Sequence, residues 1–189
     1  MNTNTNRRKF MRSASLGAAG ILATTPTAFA ATVNAKSKSA EYFVPQWERC
    51  KECTLSYANA MPEETYHFKP TEEVRSFADQ MLHVAQSSVF FSSSFLGGAG
   101  APERDYTPDG KSKDEVIELM TEAFDYCTSV LSGLTDEQLH EEAETFAGTF
   151  PKNEVILMMR DHVTHHRGQC VVYLRLNGIT PPDPSWVGW

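Results

Sequence analysis

Apolar positions recur at three- and four-residue intervals over four stretches of the chain, each bounded by residues that start or stop helices. The first stretch runs from about Tyr42 to Ala60 and breaks at Met61-Pro62-Glu63-Glu64. The second is expected to open at Pro70-Thr71-Glu72-Glu73, with acids in the first turn where the helix macrodipole favours them, and to continue to about Phe95. Gly97-Gly98-Ala99-Gly100-Ala101-Pro102 ends it, and a polar loop follows to Gly110. Ser112-Lys113-Asp114-Glu115 reads as a capping box that opens a third helix ending near Leu131. Thr135-Asp136-Glu137-Gln138 is a second such box and is expected to start one short helix. Pro151 precedes the fourth long helix, about Asn153 to Leu176, which Asn177-Gly178 stops, with Pro181 and Pro182 just beyond. No alternating run is long enough to build a sheet. The tail from Pro181 to Trp189, with three prolines and two tryptophans, is expected to lie extended on the bundle.

At 189 residues the chain predicts one domain, and 41% hydrophobic content supplies a sizeable core. The beginning reads as an address. Arg7-Arg8-Lys9-Phe10-Met11-Arg12 is basic, Ser13 to Ala23 is apolar, and Ala28-Phe29-Ala30 fits a small-residue cleavage site. The consecutive arginines followed by Lys9-Phe10 resemble a twin-arginine export signal, and the apolar run is shorter than the roughly 20 residues of a spanning helix. The expected organisation is a signal peptide over 1–30, a flexible leader over 31–40 and one helical domain over 41–189, exported to the periplasm or the extracellular space. The first 30 residues hold four bases and no acid, leaving 13 bases against 24 acids and a formal charge of −11 on the remainder. Such a surface repels phosphate backbones and anionic membranes, which argues against nucleic-acid binding.

The strongest chemical signal is Asp161-His162-Val163-Thr164-His165-His166-Arg167-Gly168-Gln169. At about 100° per residue, Val155, Met159, His162, His166, Gln169 and Tyr173 share one helical face to within about 40°. Two histidines thus interrupt a core-facing stripe. An i,i+4 pair of neutral imidazoles is a common half-site for Zn²⁺ or a similar ion; the alternative is a hydrogen-bonded pair packed near the core. His165 projects about 100° away from His166.

A third ligand has three candidates. His140 lies in the short acidic helix and His67 in the turn before Pro70. His83 lies mid-helix, sharing a side with Asp79, Gln80, Gln86, Ser87 and Phe90 rather than with Met81 and Ala85. That side faces either solvent or a polar pocket at the bundle centre. Asp79, one turn earlier, either orients the His83 ring or is a solvated acid.

Cys50-Lys51-Glu52-Cys53 is a helical C-x-x-C without the βαβ context of a redox motif or a second pair for structural zinc; packing is the favoured role, and a disulfide-forming or metal-binding pair outside the cytosol is the alternative. Cys127 and Cys170 read as small buried residues, with Cys170 close enough in sequence to line a pocket, and Phe90-Phe91 and Phe95 read as core. No nucleophile elbow, phosphate loop or dinucleotide fingerprint occurs.

The segment Lys69-Pro70-Thr71-x-x-Val74-Arg75-Ser76-Phe77-x-x-Gln80-Met81-Leu82-His83-Val84-Ala85 resembles the second helix of DinB-like (damage-inducible) proteins. His162-x-x-x-His166-Arg167-Gly168-Gln169, followed by Tyr173-Leu174-Arg175-Leu176-x-Gly178-Ile179-x-Pro181, resembles that family's last long helix. Met61-Pro62-Glu63-Glu64 before Tyr66-x-Phe68-x-Pro70 resembles its first loop. The resemblance spans about residues 42–185. It implies an all-α, up-and-down four-helix bundle holding one divalent metal through His83, His162 and His166. Zn²⁺ is the default ion; imidazole also suits Ni²⁺, Fe²⁺ and Cu²⁺.

The function expected on this basis is a metal-dependent hydrolase or transferase acting outside the cytoplasm on an unidentified small molecule. Asp79, Gln169 and Tyr173 are candidate pocket residues. The superfamily includes thiol transferases, but an exported chain is separated from the cytosolic thiol pool they need. A non-catalytic metal- or ligand-binding protein is the alternative, and a purely structural bundle is the third reading. No membrane span is expected after signal removal, and a homodimer is compatible with every one of these readings.

Overall fold

A computed structural model describes residues 37–183. The export-signal reading of residues 1–30 and the tryptophan-bearing end of the tail lie outside them. The described chain contains α1 (Lys38–Ala60), a single 3-10 turn (Glu63–Thr65), α2 (Phe77–Ser94), α3 (Lys113–Gly133), α4 (Asp136–Leu139), strands β1 (Glu142–Thr145) and β2 (Gly148–Pro151), and α5 (Lys152–Leu176). It is an all-α bundle of four long helices. Helices α1 and α2 each pack against both α3 and α5, so α1 and α2 occupy opposite corners. No helix among the described residues is long and apolar enough to cross a membrane.

Local signals set most helix ends. Both capping boxes form: Ser112 and Thr135 accept from the backbone N–H groups of Glu115 and Gln138, whose side chains reach back to the capping N–H groups. Two boundaries and one element differ from expectation. Helix α1 starts at Lys38, four residues early, because Ser37 accepts from the Ala40 amide at 2.9 Å and Ala40 is buried; the end of the supposed leader is therefore helical.

Helix α2 starts at Phe77 rather than Pro70. Ser76 caps it by accepting from the Asp79 amide at 3.1 Å, and the amides of Phe77 and Ala78 donate to the carbonyls of Phe68 and Tyr66 at 3.1 and 2.9 Å. These bonds fold residues 66–76 back into a loop and leave Glu72 and Glu73 outside the helix. The third difference is the antiparallel hairpin, where no sheet was expected. Ala143 pairs with Phe150 and Glu144 with Thr149. The Thr145 hydroxyl closes the turn by donating to the Gly148 carbonyl at 2.7 Å and accepting from the Ala147 amide at 3.1 Å. Two four-residue strands held by local turn chemistry lie below what period-2 patterning can detect.

The core is built mainly of Trp47, Tyr66, Phe77, Met81, Met120, Phe124 and Met159. Trp47 donates its indole N–H to the Phe124 carbonyl at 3.2 Å while its ring packs on that residue, the centroids 5.0 Å apart. Gly98, just after α2, passes so close to α3 that a β-carbon there would sit 2.5 Å from the Tyr126 hydroxyl and 2.6 Å from Val130. Only glycine fits this approach.

Candidate metal centre

The packing of α2 on α5 brings together three side chains separated by up to 83 positions in sequence. Ring centroids lie 5.0 Å apart for His83 and His162, 4.5 Å for His83 and His166, and 4.5 Å for His162 and His166. One nitrogen from each of the three lies within 4.8 Å of the others. Nitrogens around a tetrahedral zinc sit about 3.4 Å apart, given bonds of about 2.0–2.1 Å, so the observed spacing is of the order that a filled site needs. The three histidines can form a metal site. His83 therefore faces the interior of the α2–α5 seam, which resolves the choice that helical periodicity left open.

The imidazoles are suited to ligation because they are neutral. Burial, then the charge of Arg75 and the neighbouring His162, hold His83 down at about 4. Burial, then His162, His83, His165 and Arg75, hold His166 down at about 4, and burial first of all lowers His162. A proton therefore does not compete for these nitrogens near pH 7.

Gln80 organises the site. It is 5% exposed, and its side-chain carbonyl accepts from His166 Nδ1 at 2.8 Å. That bond puts the His166 proton on Nδ1 and leaves Nε2 as the free donor atom. The Gln80 amide group donates to Gln169 Oε1 at 2.9 Å and, at 3.5 Å, to the Tyr173 hydroxyl. Gln169 in turn donates to His165 Nε2 at 2.9 Å, and the Tyr173 hydroxyl donates to the Arg75 carbonyl at 2.7 Å. One hydrogen-bonded string thus links α5, α2 and the loop before α2. Sequence reasoning placed Gln80 on the His83 side but gave it no role; its bond to His166 spans 86 positions.

Gln169 and Tyr173 join the site as supports of Gln80. Asp79 does not reach His83: its carboxylate pairs with Arg75 Nε at 3.6 Å, whereas the polar neighbour of His83 Nδ1 is the Ser87 hydroxyl at 3.5 Å. His165 lies outside the three-nitrogen cluster, yet its ring stands edge-on to His166 at 5.0 Å. His67 bonds the Lys111 carbonyl at 2.8 Å and His140 is exposed, both away from the seam.

Of the cysteines, Cys50 and Cys53 are buried and unpaired, with Arg167 Nη1 3.7 Å from the Cys50 sulfur. Cys170 is fully buried, its thiol pushed up to about 12 by desolvation, and it packs in the core rather than lining the groove.

A groove of about 770 Å³ opens beside His166, lined by Arg75, Gln80, His165, Gln169, Val172 and Tyr173 among others. Toward the other end of the seam, Phe91 lies 6.1 Å from His162. The phenylalanines assigned to the core divide: Phe91 is buried, Phe95 is partly covered, and Phe90 is exposed. The hairpin adds Phe146, 74% exposed, with its ring 5.8 Å from Phe91 and 6.0 Å from Phe95.

Comparison with known proteins agrees with this architecture. The DinB family model matches residues 34–185. The uncharacterized protein YrdA of Bacillus subtilis is 22% identical over 143 residues, covering 75% of this chain and 85% of YrdA. YjoA of the same organism is 25% identical over 133 residues, covering 67% of this chain and 83% of YjoA. Two crystal structures share the fold. A DinB-like protein from Bacillus cereus superposes with a TM-score of 0.67 at 20% identity, over 76% of this chain and 95% of that one. The DinB-like protein YjoA from Bacillus subtilis gives 0.61 at 22% identity, over 76% and 97%. Matched by the family model over most of its length, the chain belongs to the DinB family.

Proposed function

We propose that this protein is an exported enzyme that uses one divalent metal ion, held by His83, His162 and His166, for a hydrolytic or transfer reaction on a small molecule. The observation that carries the reading is the convergence of three neutral imidazole nitrogens beside a groove. Three protein ligands and an adjoining cleft are the arrangement of catalytic rather than structural sites. When bound, the ion supplies Lewis-acid activation of water or of a substrate oxygen. The chain's own residues do the rest. Gln80 fixes the His166 tautomer, Gln169 and Tyr173 fix Gln80, and burial by α2 and α5 keeps the ligands unprotonated. Zinc is the proposed ion, with nickel or iron as alternatives for the same donor set.

Metal analysis of the protein purified from its native compartment tests the proposal. About one ion per chain is expected, falling to background in His83→Gln and in His162→Gln. A wild-type chain that retains no ion when offered zinc, nickel and iron refutes it. Full turnover by a chelated, metal-free preparation removes the catalytic reading and leaves a metal-binding protein. The export proposal rests on Arg7-Arg8-Lys9 and the apolar run that follows. It predicts that Arg7→Lys with Arg8→Lys retains the protein in the cytosol on fractionation.

A further inference from the structure

The groove beside His166 carries one guanidinium, that of Arg75, and one carboxylate, that of Glu73. With three neutral ligands, a bound divalent ion keeps its full charge beside that guanidinium. Arg75 is also positioned. The Tyr173 hydroxyl holds its carbonyl at 2.7 Å, its side chain is 44% exposed, and it lines the same groove as His166 and Gln169. Its ion-pair partner among the described residues is Asp79, which approaches Nε at 3.6 Å, beyond hydrogen-bond distance. Exposed pairs of this kind are weak, so the two terminal amino groups of the fork are available to a ligand.

We infer that this groove binds a small-molecule carboxylate, its carboxylate bridged by Arg75 and its body lying beside His166. The inference rests on the metal-site reading above and deepens it to a substrate class. Arg75, Gln169 and Tyr173 gather at the His166 side of the cluster, whereas Phe91 lies beside His162. The fork of an arginine matches two carboxylate oxygens. A monoanion fits better than a phosphate dianion, because Glu73 also lines the groove, Asp79 stands behind the fork, and the chain beyond residue 30 carries a formal −11.

The test uses the full chain loaded with Co²⁺, whose visible absorption reports both occupancy and ligand approach, and 4-phenylbutyrate as the probe. Neutral 4-phenylbutyramide and the dianionic 3-phenylpropylphosphonate are the comparisons. The carboxylate is expected to bind about tenfold or more tighter than the amide, with calorimetry as an independent readout. Arg75→Gln should erase that preference while cobalt content and spectrum stay as in wild type, and Arg75→Lys should restore part of it. Unchanged carboxylate affinity in Arg75→Gln would place the probe on the ion alone and overturn the inference. So would equal binding of the amide or tighter binding of the phosphonate. A wild-type chain that takes up no cobalt is a different result: it refutes the metal reading, and the substrate assignment falls with it.

Discussion

The α1–α3 seam and the α2–α5 seam are both helix packings of the same bundle, yet their interiors are opposite in chemistry. The first is closed by Trp47 on Phe124, with Met120 and Cys127 of α3 also fully buried, and its polar groups stay at the edges, where Lys51 pairs with Asp125 and the Thr128 hydroxyl donates to Glu48. The second places three imidazoles and a buried glutamine where apolar side chains would pack best. Hydrophobic burial makes the first seam stabilising. The second tolerates polar groups because Gln80, Gln169 and Tyr173 satisfy one another and the histidines stay uncharged. The bundle thus divides its labour: one seam holds it together and the other carries the candidate chemistry.

The largest effect should come from breaking the apolar seam. Trp47→Ala removes a fully buried indole and its hydrogen bond, and should cost about 3–5 kcal/mol in denaturant unfolding while the folded fraction still binds metal. If Trp47→Ala instead abolishes metal uptake by the remaining folded molecules, the two seams are not separable.

Gln80→Ala acts on the other side. It frees the His166 ring and should lower metal affinity by about 10–100-fold, read by competition with a chromogenic chelator, with a smaller change in fold stability. An unchanged affinity would show that Gln80 packs without orienting the ring.

Acidity should strike the polar seam selectively. His83 and His166 titrate at about 4 in the folded protein, against about 6.5 for a solvated imidazole, so the unfolded chain takes up protons first as pH falls. The metal-free protein therefore keeps this contribution above about pH 6.5 and loses it progressively toward about pH 4. Urea midpoints measured across that window should fall, and fall less steeply in the His83→Gln, His166→Gln double variant; parallel slopes would assign the acid sensitivity elsewhere. The smallest effect belongs to the pair at the edge of the α1–α3 seam: Lys51→Ala should shift stability by no more than about 1 kcal/mol, and a larger loss would make that edge a structural part of the seam.

Particular residues show where sequence reading succeeds. Ser112 with Glu115 and Thr135 with Gln138 are visible as capping boxes because both halves lie within one turn, and the His162–His166 spacing shows their shared face for the same reason. Ser76 was equally present in the sequence, but the rival start at Pro70 loses only because Phe77 and Ala78 bond back to Phe68 and Tyr66. Phe146 gives no sign of belonging near His162 until the hairpin folds it onto Phe91 and Phe95. Asp79 sits one turn from His83, as an orienting carboxylate should, and turns to Arg75 instead.

Interactions that close within a turn or two of backbone are written into neighbouring residues: the four long helices, most of their ends and the paired histidines of α5. Contacts that join residues some eighty positions apart depend on how helices rotate when they pack. That rotation turned His83 inward and aimed Gln80 at His166, and helical spacing is blind to it because many orientations of one amphipathic helix share the same period; Arg75 reaches the groove from the loop before α2, whose course depends on the same distant contacts.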